Sequence, residues 1–346
     1  MKNRNYEIDF WKFIFSICIV IYHAWQFQYP GETIIFRYGN LLVDFFFVVS
    51  GFLMVLKIYN KKKPLNIGKD TWNFIIYKLK PIYKYILLAF IFGLVLKIIF
   101  LPHNIFYYSN SIFEVLQIQM WGILNTNQLY QTVNSAAWYI SAMLFVFLII
   151  YPLAVKYKKT FTTLIAPISI FVLCFYITAN DIYIYDPFTI TNFIPNGLIR
   201  AFLSMNIGCT IYELVLLLKK IKFNTFSKIL FTFFEVLIII MTFIFAQNGF
   251  LNFSNLIIPF AFGIFVLIIF SENSYIGKLF TNKVWQFFSK FGFVMYLNNV
   301  YIRDILKVGT LQNYEYNLFR LMFLCIIISM VSLLIIYISE KIIEKK

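Results

Sequence analysis

Three ionisable residues fall in the first apolar stretch of the chain: Asp9, Lys12 and His23. Eleven positions separate Lys12 from His23. At 100° per residue that is three turns plus about 20°, so a helix carries both on one face, about 16 Å apart along its axis. Asp9 precedes Lys12 by three residues, the spacing of a helical ion pair. A charge inside a membrane span costs about 2.5–3.5 kcal/mol on insertion scales, which makes each of these residues a functional candidate. Histidine titrates near neutral pH and is the commonest general base. The pattern therefore offers an imidazole for proton transfer above an ion pair, or else a hydrogen-bond partner for a neighbouring helix. His103, the other of the two histidines, follows Pro102 and reads as a solvated loop residue.

The elements that must hold these residues are membrane helices. Of 346 residues, 61% are hydrophobic and 13% charged, and the mean hydropathy is +0.78. Soluble domains are about 45–50% apolar and about 25% charged, which excludes a soluble enzyme, a disordered chain and a disulfide scaffold. Cys18, Cys174, Cys209 and Cys325 lie in apolar stretches without metal-ligand spacing, so no metal site is expected. Apolar runs long enough to span occur near 8–27, 40–57, 83–101, 136–155, 161–179, 197–218, 229–246, 254–271, 285–303 and 317–339. They are too uniformly apolar for barrel strands. The expected fold is all-α: a polytopic transmembrane bundle of about ten spans, forming one membrane-embedded domain over 1–346 with no appended soluble domain. No inverted pair of Gly/Pro-broken helices of the transporter kind is present.

In a soluble protein the net charge of +15 would suggest nucleic acid. Here the basic residues cluster in alternate connections: Lys2 and Arg4, Lys57 to Lys84, Lys156 to Lys159, Lys219 to Lys228, Lys278 to Lys290 and Lys341 to Lys346. Residues 102–135 and 180–199 hold no Lys or Arg, and only Arg37, Lys97, Arg303, Lys307 and Arg320 depart from the alternation. The positive-inside rule then places both termini in the cytoplasm. Asp9 and Lys12 interrupt the first run and no cleavage site follows it, so it reads as a retained helix rather than a signal peptide.

Other polar residues stand in or beside the spans. Arg200 needs a partner or a cavity; it could anchor an acidic or hydroxylated substrate or form a structural pair. Asp44 could orient His23 or pair with a cation such as Arg37. Glu213 and Glu235 lie near cytoplasmic helix ends and read as solvated. The loop 102–135 is rich in Asn, Gln, Tyr and Trp, with Glu114 its only charge. Such residues suit sugar recognition and equally suit any uncharged outer loop.

Two segments carry a family resemblance. The first is Ile8-Asp9-Phe10-Trp11-Lys12, then ten residues, then His23; the second is Val43-Asp44-Phe45-Phe46-Phe47-Val48-Val49-Ser50-Gly51-Phe52-Leu53. Weaker pieces are Trp138 to Ser141, Arg200 to Gly208 and Gly292 to Leu297. Together they resemble the acyltransferase 3 family of bacterial integral-membrane acyltransferases across most of the chain. The sequence departs from the family where its helix-one Arg is Lys12, which keeps charge but loses the bidentate fork. It departs again where a frequent Tyr-Leu-x-His becomes Tyr296-Leu297-Asn298-Asn299, which removes a second histidine.

The resemblance implies transfer of an acyl group, most often acetyl, from cytoplasmic acyl-CoA to a hydroxyl of an envelope glycan or its lipid-linked precursor. The donor is then a substrate, with no bound cofactor. The partners are acyl-CoA, the glycan and the bilayer, and the location is the bacterial plasma membrane. Lys12, Lys78, Lys80 and Lys84 are candidates for donor phosphate. His23 would serve as base or transient acyl acceptor. Ser50, Gly51 and Trp138 are candidates for the neighbourhood of the oxyanion, which needs donors. A lipid-linked sugar transporter or flippase is the alternative reading.

Overall fold

The computed structural model describes residues 4–27, 34–61, 64–101, 105–249, 254–308 and 314–344. His103, Asn104, Lys2, Lys62, Lys63, Lys345 and Lys346 lie outside the described residues. The protein is 81% helical with almost no sheet. In chain order the helices are α1 (Tyr6–Tyr22), α2 (Val43–Tyr59), α3 (Ile67–Phe100), α4 (Ser111–Val115), α5 (Thr126–Tyr130), α6 (Trp138–Thr160), α7 (Ala166–Ala179), α8 (Asn196–Leu218), α9 (Thr225–Asn248), α10 (Ser254–Ser271), α11 (Val284–Val308) and α12 (Tyr314–Glu344). A two-residue hairpin, β1 (Ile190–Thr191) with β2 (Ile194–Pro195), leads into α8.

Among the described residues, six stretches are long and apolar enough to cross a membrane: Gly39–Tyr59, Ile67–Phe100, Ser135–Ala179, Asn196–Leu218, Thr225–Asn248 and Glu315–Glu344. The chain is a multi-pass membrane protein. The separate runs expected at 136–155 and 161–179 fall in one helical stretch, broken where Lys158 takes φ 32° and ψ −99° and followed by a π-helical turn, Phe161–Ile165. The run expected at 83–101 begins earlier, at Ile67. Asn66 caps it by accepting from the Lys69 amide at 2.9 Å, and the helix continues through Pro81. Helix α1, which carries Asp9 and Lys12, and helix α11, which carries Arg303 and Asp304, fall outside the six.

Two pairings organise the bundle: α2 runs along α8, and α1 along α11. The first depends on two glycines. A β-carbon on Gly51 would strike the Met205 carbonyl, and one on Gly208 would strike the Val48 carbonyl. Small residues at such a crossing let two backbones touch in lipid. Phe15, Phe45 and Phe262 fill the space between α1, α2 and α10, with ring centres 4.9–5.7 Å apart.

Three expectations about charge change here. Asp9 does not pair with Lys12: Arg4, just outside the helix, reaches back with Nε and Nη2 to the Asp9 carboxylate at 2.6 and 3.0 Å. Glu235 is not solvated but fully buried on α9, beside the equally buried Glu7. Glu213 is half-buried and accepts from the hydroxyls of Tyr59 and Thr162, the latter at 2.9 Å.

Candidate active site

A cavity of about 490 Å³ opens at the end of the bundle where α1 passes into the short helix beginning at His23. Its wall draws on that turn (Tyr22, His23), on the start of α2 (Asn40, Val43), on Ser135 to Trp138, on the loop at 183–188, and on Arg200, Tyr296 and Arg303. Cavities of 300–1,000 Å³ hold small-molecule ligands. Aromatic side chains are the largest class in the lining, interleaved with polar and charged groups.

His23 meets α11 here. Arg303 Nη1 lies 3.4 Å from His23 Nδ1. A guanidinium only donates, so the contact casts Nδ1 as acceptor and leaves the imidazole proton on Nε2. To act as a base, His23 takes a proton at Nδ1 as Arg303 withdraws, or exchanges tautomers. Arg303 also donates from Nε and Nη2 to Asp304 Oδ1, at 3.0 and 2.5 Å. The other oxygen of Asp304 pairs with buried Lys97 at 2.7 Å. Two cations thus share one carboxylate beside the imidazole.

Arg200 is held differently. Its Nε and Nη2 meet the two oxygens of Asp44 at 3.0 Å each, and both side chains are fully buried. Nη2 also donates to the Asn40 carbonyl at 2.7 Å. Ser204 donates to Asp44 at 2.7 Å, and Tyr185 adds a further bond to the same carboxylate. Asp44 therefore neither orients His23 nor pairs with Arg37. A bidentate guanidinium fork on a helix 156 residues away takes it instead.

A second, small cavity of about 20 Å³ lies against the first and shares Ile19, Val43 and Tyr296 with it. Ser16, Phe46, Tyr139 and Phe293 complete its wall. Lys12, Ser16, Ile19 and His23 are spaced by four, three and four residues, which makes one stripe along α1. At the Lys12 end of that stripe, Lys12 and Lys57 are the charged neighbours of Lys78. Lys57 and Lys78 each stand 5.5 Å from the centre of the Phe74 ring. Among the described residues none of these three lysines forms an ion pair, because Arg4 occupies Asp9 while Lys61 and Tyr151 occupy Asp70.

The residues read from the sequence thus separate into groups. His23, Trp138 and Arg200 line one cavity, and Lys12 and Lys78 meet at the other end of α1. Lys80 is exposed, and Lys84 pairs with Glu340 of α12. Ser50 lies 3.4 Å from the Tyr139 hydroxyl, and Gly51 sits in the α2–α8 crossing, away from the cavity wall. Sequence reasoning missed Arg303, Asp304, Asn40, Asp186 and the tyrosines of the wall. For Arg303 and Lys97 a signal existed, since both departed from the lysine alternation.

A helical membrane bundle with a histidine-containing cavity at one end and unpaired lysines at the other has the form of a membrane-embedded transferase. The chain belongs to the acyltransferase 3 family, whose acyltransferase domain matches residues 5–339, nearly the whole chain. It is an acyltransferase that moves groups other than aminoacyl groups. No curated protein and no solved structure matches it at a significant level.

Proposed function

We propose that this protein is a membrane O-acyltransferase of the bacterial plasma membrane. It takes an acyl group, acetyl in the simplest case, from cytoplasmic acyl-CoA and passes it to a hydroxyl of an envelope or exported polysaccharide, or of its lipid-linked precursor. The observation that carries this reading is the stripe on α1. Lys12, with Lys57 and Lys78 close by, stands at one end, and His23 with its cavity stands at the other. Lysines gathered without carboxylate partners suit the phosphates of acyl-CoA. The positive-inside rule puts that end in the cytoplasm together with both termini. The small apolar cavity between the ends, which would have to widen to pass a thioester, supports a route from the lysines to His23. His23 then accepts the proton of the acceptor hydroxyl or carries the acyl group transiently, and Arg303 stands by as a donor to developing negative charge.

The test is transfer of label from radiolabelled acetyl-CoA into envelope glycans, in membranes holding equal amounts of wild type, His23→Ala or Lys12→Ala. Label with wild type alone is the expected result. Lys12→Arg should restore transfer that Lys12→Ala loses. Absence of label with wild type would overturn the acyl-CoA reading and bring the flippase alternative forward.

A further inference from the structure

We propose that Arg200 and Asn40 form a subsite for an uncharged hydroxyl in the wall of the His23 cavity, which selects a neutral sugar ring over an acidic one. That the sugar is the acyl acceptor rests on the function proposed above; the binding chemistry does not.

A guanidinium has five N–H groups. Arg200 uses its Nε–H on Asp44 and its Nη2 hydrogens on Asp44 and the Asn40 carbonyl. Among the described residues both Nη1 hydrogens are without a partner, and the side chain is 0% exposed. The Asn40 amide donates from Nδ2 to the Tyr185 carbonyl at 3.1 Å, while its buried Oδ1 has no donor among the described residues. The two residues touch through the 2.7 Å bond and both line the cavity. An unused donor and an unused acceptor thus belong to two bonded residues of the wall.

A buried polar group left unsatisfied is costly, so a ligand that meets both gains twice. A hydroxyl accepts and donates at once; a carboxylate or phosphate only accepts and would turn negative oxygen toward Asn40 Oδ1. At the pair itself, Asp44 neutralises Arg200 through both of its oxygens, which leaves it little attraction for a second anion; Arg37 and Arg303 are the other cations of the wall and Asp186 a carboxylate in it. The Arg200 guanidinium carbon lies over the rings of Tyr185 and Trp138, 4.5 and 5.9 Å from their centres, so aromatic side chains flank the polar pair. His23 and Arg303 reach the cavity from other elements, the turn after α1 and helix α11, and the hydroxyl held at Arg200 and Asn40 is assigned to recognition rather than reaction.

The test is saturation-transfer NMR on the full chain in nanodiscs. The probes are methyl glycosides of glucose, galactose and mannose, their monodeoxy analogues, and methyl glucuronide. The expected result is transfer to at least one neutral glycoside. Loss of a single hydroxyl should weaken binding about threefold to tenfold, the size of one or two net hydrogen bonds, and the glucuronide should fall behind its neutral counterpart. Asn40→Ala should erase the preference among deoxy analogues. Equal signals from all deoxy analogues, stronger binding of the glucuronide, or no binding of any glycoside would each overturn the subsite. The comparison of analogues uses wild type, so a poorly folding Asn40→Ala does not spare the proposal. No donor is present, so failure here is distinct from failure of the acyltransfer assay.

Discussion

Arg200 and Arg303 stand in the wall of one cavity and are held in opposite ways. Arg200 has a carboxylate to itself, gripped through two nitrogens and braced by Ser204 and Tyr185. Arg303 shares Asp304 with Lys97, and that carboxylate is 23% exposed. The first arrangement is charge-balanced and fixed by three elements at once. The second carries one cation more than its carboxylate neutralises, and it places a donor on the imidazole. The contrast separates a post, which shapes the cavity, from a working group whose contact with His23 can be made and released.

The largest expected effect is at the post. Removing one partner of a buried ion pair costs about 3–5 kcal/mol, because the other charge stays buried. Asp44→Asn should therefore lower the thermal midpoint in nanodiscs and the yield of monodisperse protein, with or without substrate. Asp44→Leu combined with Arg200→Leu should recover part of that loss, since replacing a whole buried pair is often neutral. An Asp44→Asn protein as stable as wild type would remove the distinction between the two arginines.

Arg303→Met comes next. Asp304 keeps Lys97 as a partner, so the stability loss should be smaller than at Asp44. Label transfer should still fall, by up to the factor of about 10² to 10⁴ that a positioned general base contributes. The pair of readouts decides the role: a rate that drops only in proportion to folded protein would make Arg303 structural as well.

Much of the helical plan could be read from run lengths, because lipid admits few other ways of satisfying a backbone. What sequence could not show was pairing. Asp9 had Lys12 at helical spacing, yet Arg4 has a planar fork and sits free of the helix, so it wins the carboxylate. Asp44 and Arg200 are 156 residues apart, and nothing local ties them. The Ser50-Gly51 segment looked chemical because of its family motif, but Gly51 is required by the contact of α2 with Met205. The buried Glu235 was misread because its distance from the helix end says nothing about which neighbour covers it. Arg303 and Lys97 were visible as exceptions to the charge alternation, and an exception of that kind marks a residue held for a reason other than topology.

The smallest effect sharpens the comparison from the side of the loop. Glu114, outside the spanning segments, is 1% exposed and accepts from the Asn134 amide at 3.0 Å. Burial is the main influence and pushes its carboxyl from 4.5 up to about 8, although that bond, the Val133 amide and the Lys97 charge pull the other way. Asn134 in turn donates to the Leu297 carbonyl at 2.6 Å, and the next two residues line the cavity. A carboxyl whose folded pKa is raised stabilises the fold at low pH and loses that contribution as pH rises through the folded value. Stability should therefore fall between about pH 4.5 and 8, by at most about 1.4 kcal/mol per pH unit from this group. Glu114→Gln mimics the protonated acid and should flatten that part of the slope in thermal midpoints measured from pH 5.5 to 8.5. If the variant keeps the full slope, Glu114 is ionised throughout, Lys97 serves two carboxylates, and the surplus cation assigned to the Arg303 side disappears.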